Sequence, residues 1–180
     1  MLNHWFLGVI FFITSCFVAQ QQPRVNYMIQ GKSNVTLQSD DFSGNFNTIK
    51  GKITVDPDTK LVSGFDMIID VNSLELEIPG MTKHAKSSDY FNVMEFPSIT
   101  FFGDSISKNE ENYVVYGLMT SKGISKRMSI SFNTKVVKAT LVNVSAEFII
   151  RRSDFQIGPM EEVSDEVVIK ASLFAKKVSD

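Results

Sequence analysis

The chain has 180 residues, 43% of them hydrophobic, and carries 18 basic against 20 acidic side chains for a net charge of −2. That length suits about one domain with a sizeable core, and the charge balance excludes both a strongly basic nucleic-acid binder and a disordered acidic tail. Aromatic residues make up 11%, and 15 of them are Phe, an unusual share that the elements below have to account for.

No Asp, Glu, Lys or Arg occurs before Arg24, and Trp5 to Phe12 is nearly continuous apolar sequence. The run is shorter than the roughly 20 residues of a membrane-spanning helix and fits the apolar region of a secretory signal. Ile13-Thr14-Ser15-Cys16 resembles a bacterial lipobox, in which the cysteine is acylated and becomes the mature N-terminus. Ordinary cleavage after Ala19 is the alternative, but it would place bulky Phe17 where the cleavage pattern wants a small residue. The expectation is therefore a signal over residues 1–19, with lipoprotein processing before Cys16 favoured, and a single domain over 20–180. Cys16 is the sole cysteine, so the mature domain holds together without an internal disulfide.

After Pro23 the dominant signal is period-two alternation. Phe65, Met67, Ile69 and Val71 alternate with Asp66, Ile68, Asp70 and Asn72. Met128-Ile130-Phe132, Val144-Ala146-Phe148-Ile150 and Val167-Ile169-Ala171-Leu173 repeat the pattern. Such runs are half-buried strands. Turn signals separate them at Asp56-Pro57-Asp58, Ser105 to Asn112 and Ser121-Lys122-Gly123. About eight short strands at this spacing predict an all-β antiparallel sandwich or barrel. One connection, near 79–95, is too long for a hairpin; Pro79-Gly80 marks a turn and Met81 to Ser88 a short helix.

Catalytic signatures are missing. Only His4 and His84 are present, there is no His and Cys spacing for a metal, and neither a G-x-S-x-G elbow nor a phosphate-binding glycine pattern occurs. Glu110-Glu111 and Glu161-Glu162 read as solvated charge in polar loops. No enzyme, metal or cofactor is expected.

Four blocks carry a family resemblance. Lys83 to Phe101 reads K-H-A-K-S-S-D-Y-F-N-V-M-E-F-P-S-I-T-F and is similar to the "D-x-H-L-K-S-x-D-F-F" and "P-x-I-x-F-x-S" segments of the YceI-like family. Gly117 to Lys126 resembles that family's "G-x-L-T-I-x-G-x-T-K", Arg152 to Ile157 its "R-S-D-F-G-I", and Val163 to Ile169 its closing "S-D-E-V-x-I". The order is kept over essentially the whole mature chain. Departures are Thr82-Lys83, Ala85, Gly103 and Gln156, the last standing where the pattern has glycine.

The resemblance implies an extended eight-stranded antiparallel β-barrel, lipocalin-like in shape, whose lumen binds a polyisoprenoid or isoprenoid quinone, in an exported bacterial protein of the periplasm or cell envelope. Candidate lumen residues on the alternating faces are Phe65, Ile69, Ile99, Phe101, Val114, Tyr116, Phe132, Phe148 and Ile150. His84, Lys86 and Arg152 are candidate head-group contacts, although for Arg152 a structural hydrogen-bonding role with Asp154 or backbone carbonyls is the favoured reading. The expected partners are an apolar lipid and, through Cys16, a membrane; a homodimer is left open and no nucleic acid is expected. Periodicity itself does not say which face points inward, nor whether the interior is hollow or a filled structural core.

Overall fold

The alternating segments pair into one antiparallel sheet of 11 strands in a computed structural model that describes residues 24–59, 61–110 and 112–178. The expected export signal and Cys16 lie outside the described residues. The strands are β1 (Val25–Ile29), β2 (Asn34–Gln38), β3 (Ser43–Phe46), β4 (Ile49–Val55), β5 (Val62–Asp70), β6 (Leu74–Leu76), β7 (Ser98–Lys108), β8 (Tyr113–Ser121), β9 (Ile124–Lys138), β10 (Leu141–Arg151) and β11 (Glu166–Lys177). One α-helix, α1 (Pro79–Ala85), and 3₁₀ turns at Val71–Ser73 and Arg152–Phe155 complete the fold.

The sheet closes. β1, β4, β5, β7, β8, β9, β10 and β11 are neighbours in that order, and β11 returns to β1 through Tyr27 opposite Lys177 and Ile29 opposite Ala175. Closure into an eight-stranded barrel joins the first and last staves and so removes the two long free edges an open sheet would have, while β6 ends the branch that β2 and β3 form. β2, β3 and β6 are continuations rather than extra staves. β1 and β2 pair with successive stretches of the same edge of β11, and β3 joins β2 to β6. Ser73 stitches the interruption between β5 and β6: its hydroxyl donates to the Asp70 carbonyl at 2.6 Å and accepts the Thr48 amide at 3.0 Å.

Two ends follow from this topology. At the hairpin end lie the β4–β5, β7–β8 and β9–β10 turns. At the other, the cap end, lie α1 and its long loop, the β8–β9 hairpin, and the segment between β10 and β11. The hairpin half is solid: Tyr113 stacks on Phe132 with centroids 5.1 Å apart, Phe132 meets Phe65 at 5.9 Å, and Phe65 meets Phe101 edge-on at 6.2 Å. Such ring pairs add about 0.5–1.5 kcal/mol each beyond their buried area. Ile53 and Ala175 are fully buried in the same half.

The helix differs from its expected limits. It begins at Pro79 because proline suits the first helical position, where its missing N–H costs nothing, and it ends at Ala85 as the Ser87 carbonyl takes the Tyr90 and Asn92 amides in a turn. Gln156 ends the second 3₁₀ turn in the left-handed region at φ 51°, which explains why glycine suits that position of the resembled motif. Gly158 is also left-handed at φ 72°, and a Cβ there would lie 2.3 Å from the Tyr90 ring. Its smallness lets the 152–165 segment close over the tyrosine.

Candidate functional site

The cap half of the barrel is hollow. A cavity of about 270 Å³ runs upward from Phe65, Phe101 and Phe132, which form its floor, and its wall is made by the inward faces of β5, β8, β9, β10 and β11. Met67, Ile69, Met119, Ile130, Val144, Val167, Ile169 and Leu173 supply most of that wall. The space exceeds the ~150 Å³ apolar cavity known to stay dry and admit benzene. The Phe-rich composition thus serves two roles: some rings plug one half, and others line the other.

Seven of the nine residues expected in the lumen line it: Phe65, Ile69, Ile99, Phe101, Phe132, Phe148 and Ile150. Val114 and Tyr116 do not. On β8 the inward positions are Tyr113, Val115, Gly117, Met119 and Ser121, and Tyr116 is 45% exposed on the outer surface. The reason is that Tyr113 to Tyr116 is apolar on both faces, so alternation there is silent and a one-residue error reverses every side chain.

The mouth lies where lining residues also meet solvent. His84 and Glu162 both line the cavity with side chains 57% and 53% exposed. Phe42, Leu76 and Met81 form the lip shared with an adjoining outer cleft. His84 Nε2 stands 3.8 Å from Glu162 Oε2, and the Tyr90 hydroxyl donates to the same oxygen at 2.7 Å. The His84 and Tyr90 rings meet edge-on at 4.7 Å. Burial, reinforced by the bond to Glu162, pushes the Tyr90 pKa up to about 12, so it remains a donor.

Arg152 is only 4% exposed and holds the cap together. Its Nε donates to the Ser164 carbonyl at 2.8 Å, and its terminal nitrogens donate to the carbonyls of Ile157, Pro159 and Val163. Four carbonyls from one loop therefore converge on one guanidinium. This is the backbone-carbonyl role; the expected partner Asp154 instead faces Lys126 at 3.7 Å. Lys86 is the remaining correction. It does not line the cavity, and its Nζ donates to the Asn72 carbonyl at 2.7 Å.

Two carboxylates fasten the same loop. Asp41 accepts the Ser164 hydroxyl and its amide, the latter at 2.6 Å, and these bonds hold its carboxyl below the ordinary value of 3.8. Asp165 accepts the Ser153 amide and hydroxyl, each at 2.8 Å, with the same direction of shift. A carboxyl depressed in the folded state contributes stability that is complete above its unfolded value and lost as pH falls through the folded one. The melting-temperature gap between the native chain and Asp41→Ala is therefore expected to persist at neutral pH and to close below about pH 4. A gap that stays constant through acid pH would contradict the assignment.

Sequence reasoning missed three residues here. Glu162 reads as one of two solvated glutamates, Tyr90 as part of a motif, and Ser121 as a turn residue. Ser121 closes β8, is 3% exposed, lines the cavity and has no hydrogen-bond partner for its hydroxyl. Its signal was present: it is the polar member of the inward series that includes Val115 and Met119. Among the described residues no group of three or more His, Cys, Asp or Glu converges on a metal position, and no helix is long and apolar enough to cross a membrane.

Fold and cavity together define a class: a closed up-and-down barrel, solid at one end and opening at the other into an apolar chamber sized for a small ligand. The chain belongs to the YceI-like family, whose domain matches residues 25–175. It is 31% identical over 87 residues to a UPF0312 protein of Yersinia enterocolitica, a match covering 48% of this chain and 45% of the relative, so the chain spans just under half the length of the curated relatives it matches. Among solved structures, BcnA of Burkholderia cenocepacia superposes with a TM-score of 0.74 at 25% identity, covering 81% of this chain and 97% of that one. A polyisoprenoid-binding domain from Saccharophagus degradans, described as implicated in plant cell wall breakdown, superposes with a TM-score of 0.68 at 13% identity, covering 85% and 98%.

Proposed function

We propose that this protein is a non-catalytic carrier or store of a long apolar lipid, a polyisoprenoid or isoprenoid quinone, held in the hollow half of the barrel. The carrying observation is the chamber itself: the aromatic floor stops short of the cap, and the wall above it is almost wholly apolar. Interiors normally fill to crystal-like density, so an apolar chamber of this size is an arrangement that asks for an occupant. The Saccharophagus domain of the same fold is described as polyisoprenoid-binding, which supports this reading. Each buried CH₂ contributes about 0.8 kcal/mol, so roughly ten of them support micromolar affinity before association costs are counted. Ile78, exposed and lining the outer cleft that shares its lip with the chamber, offers an apolar landing for an entering chain.

Thermal unfolding in the presence of polyprenols tests the reading. At a lipid concentration 100 times Kd, stability rises by about 2.7 kcal/mol through mass action, and the melting temperature rises by several degrees. No shift with any apolar lipid would favour a filled structural barrel instead.

Export to the cell envelope with an acylated Cys16 is part of the same proposal, supported by the uncharged apolar leader before Arg24. Cys16→Ser is expected to abolish acylation and release the protein from the membrane fraction. Unchanged membrane association in that variant would show that attachment does not run through Cys16, and native protein found unacylated in the soluble fraction would point to ordinary cleavage after Ala19.

A further inference from the structure

Ser121 and the acidic mouth are two features that a general lipid chamber does not require. The Ser121 hydroxyl is buried, lines the cavity and is unpartnered, a costly state for a polar group in apolar surroundings. It stands where the resembled motif "G-x-L-T-I-x-G" has isoleucine. Lys122, beside it, donates to the carbonyls of Asp89 and Gln156, which docks the β8–β9 hairpin under the cap and places Ser121 at the same end as the mouth.

Carboxylates stand along the route a head group would take, and the basic side chains on the chamber's lining, Arg152 and His84, are already engaged. The outer cleft that shares its lip with the chamber is lined by Asp40, Asp41 and Glu77, with no Lys, Arg or His. Glu162 adds a carboxylate to the chamber's own lining. The cations offer little in return: Arg152 is committed to four carbonyls, Lys86 to the Asn72 carbonyl, and His84 faces Glu162. A phosphate or diphosphate arriving here would lose its hydration and meet carboxylates.

We propose that the lumen selects lipids with an uncharged, oxygen-bearing head group, a carbonyl or hydroxyl, and seats that oxygen against the Ser121 hydroxyl. This inference rests on the lipid-binding reading and narrows it to a head-group chemistry.

Three probes separate the two: squalene, which has no head group; geranylgeraniol; and geranylgeranyl diphosphate. Binding to the purified chain is measured by native mass spectrometry at pH 7. Geranylgeraniol is expected to bind at least about tenfold more tightly than its diphosphate. Ser121→Ala should weaken geranylgeraniol about fivefold, the effect of one lost hydrogen bond, and leave squalene unchanged. Glu162→Gln, which keeps an acceptor for Tyr90, should narrow the gap between alcohol and diphosphate. If squalene binds but the diphosphate equals or exceeds the alcohol, or if Ser121→Ala affects neither, the head-group inference is overturned and the lipid reading stands. If none of the three binds, both fail.

Discussion

Phe148→Lys is expected to abolish lipid uptake while leaving the barrel folded. Phe148 lies on β10 opposite Ile169, half-buried, with its ring on the chamber wall. An ammonium at this position enters a wall whose one lining carboxylate, Glu162, stands half-exposed at the mouth and already accepts from Tyr90, and it would have to share the chamber with a hydrocarbon chain. Desolvating an unpaired charge costs several kcal/mol, so affinity should fall by more than about 100-fold. The choice of position matters. Phe132 and Phe101 are almost wholly buried in the aromatic floor, and a charge there threatens the fold before it reports on binding. Phe148 borders empty space, into which a lysine can extend. Tyr116→Lys on the outer face is the matched control and should bind lipid as the native chain does. Circular dichroism establishes that both variants are folded. Full binding by a folded Phe148→Lys protein would place the ligand outside the chamber.

The largest effect on stability is expected from Arg152. Removing its guanidinium, as in Arg152→Ala, leaves the Ile157, Pro159, Val163 and Ser164 carbonyls without their common donor. Hydrogen bonds to charged groups contribute about 1.5–3 kcal/mol each, though losses around one centre are not additive, and a total near 3–5 kcal/mol is expected. Arg152→Lys should recover only part, because one ammonium cannot reproduce a planar fork reaching several carbonyls. The readout is the melting temperature together with proteolytic sensitivity of the 156–165 loop. This distinguishes the structural role from head-group binding. A head-group ligand would show weakened lipid affinity at unchanged stability, and that result would contradict the role assigned here.

The fold was readable from the strands whose two faces differ. On β5, Phe65, Met67 and Ile69 oppose Asp66 and Asp70, so the buried face is written in the sequence, and all three line the chamber. On β8 both faces are apolar, and the assignment of Val114 and Tyr116 fails for that reason alone. The hollow half was not readable at all. Floor and wall use the same residue types, and Phe132 differs from Phe148 in its neighbours rather than in its pattern. Glu162 was hidden for another reason: a carboxylate half-exposed to water looks like any surface glutamate until Tyr90 and His84, more than 70 positions away, are brought against it. Arg152 was partly legible, since the motif around it pointed to a role, but its four carbonyl partners come from a loop without regular structure.

Organic extraction of the protein purified from bacterial cells, with native mass spectrometry of the same sample, shows whether the chamber is occupied. The expected result is an apolar lipid at about one per chain, retained by the native protein and absent from Phe148→Lys. Native protein recovered repeatedly without lipid, and unable to take up polyprenols added afterwards, would contradict it.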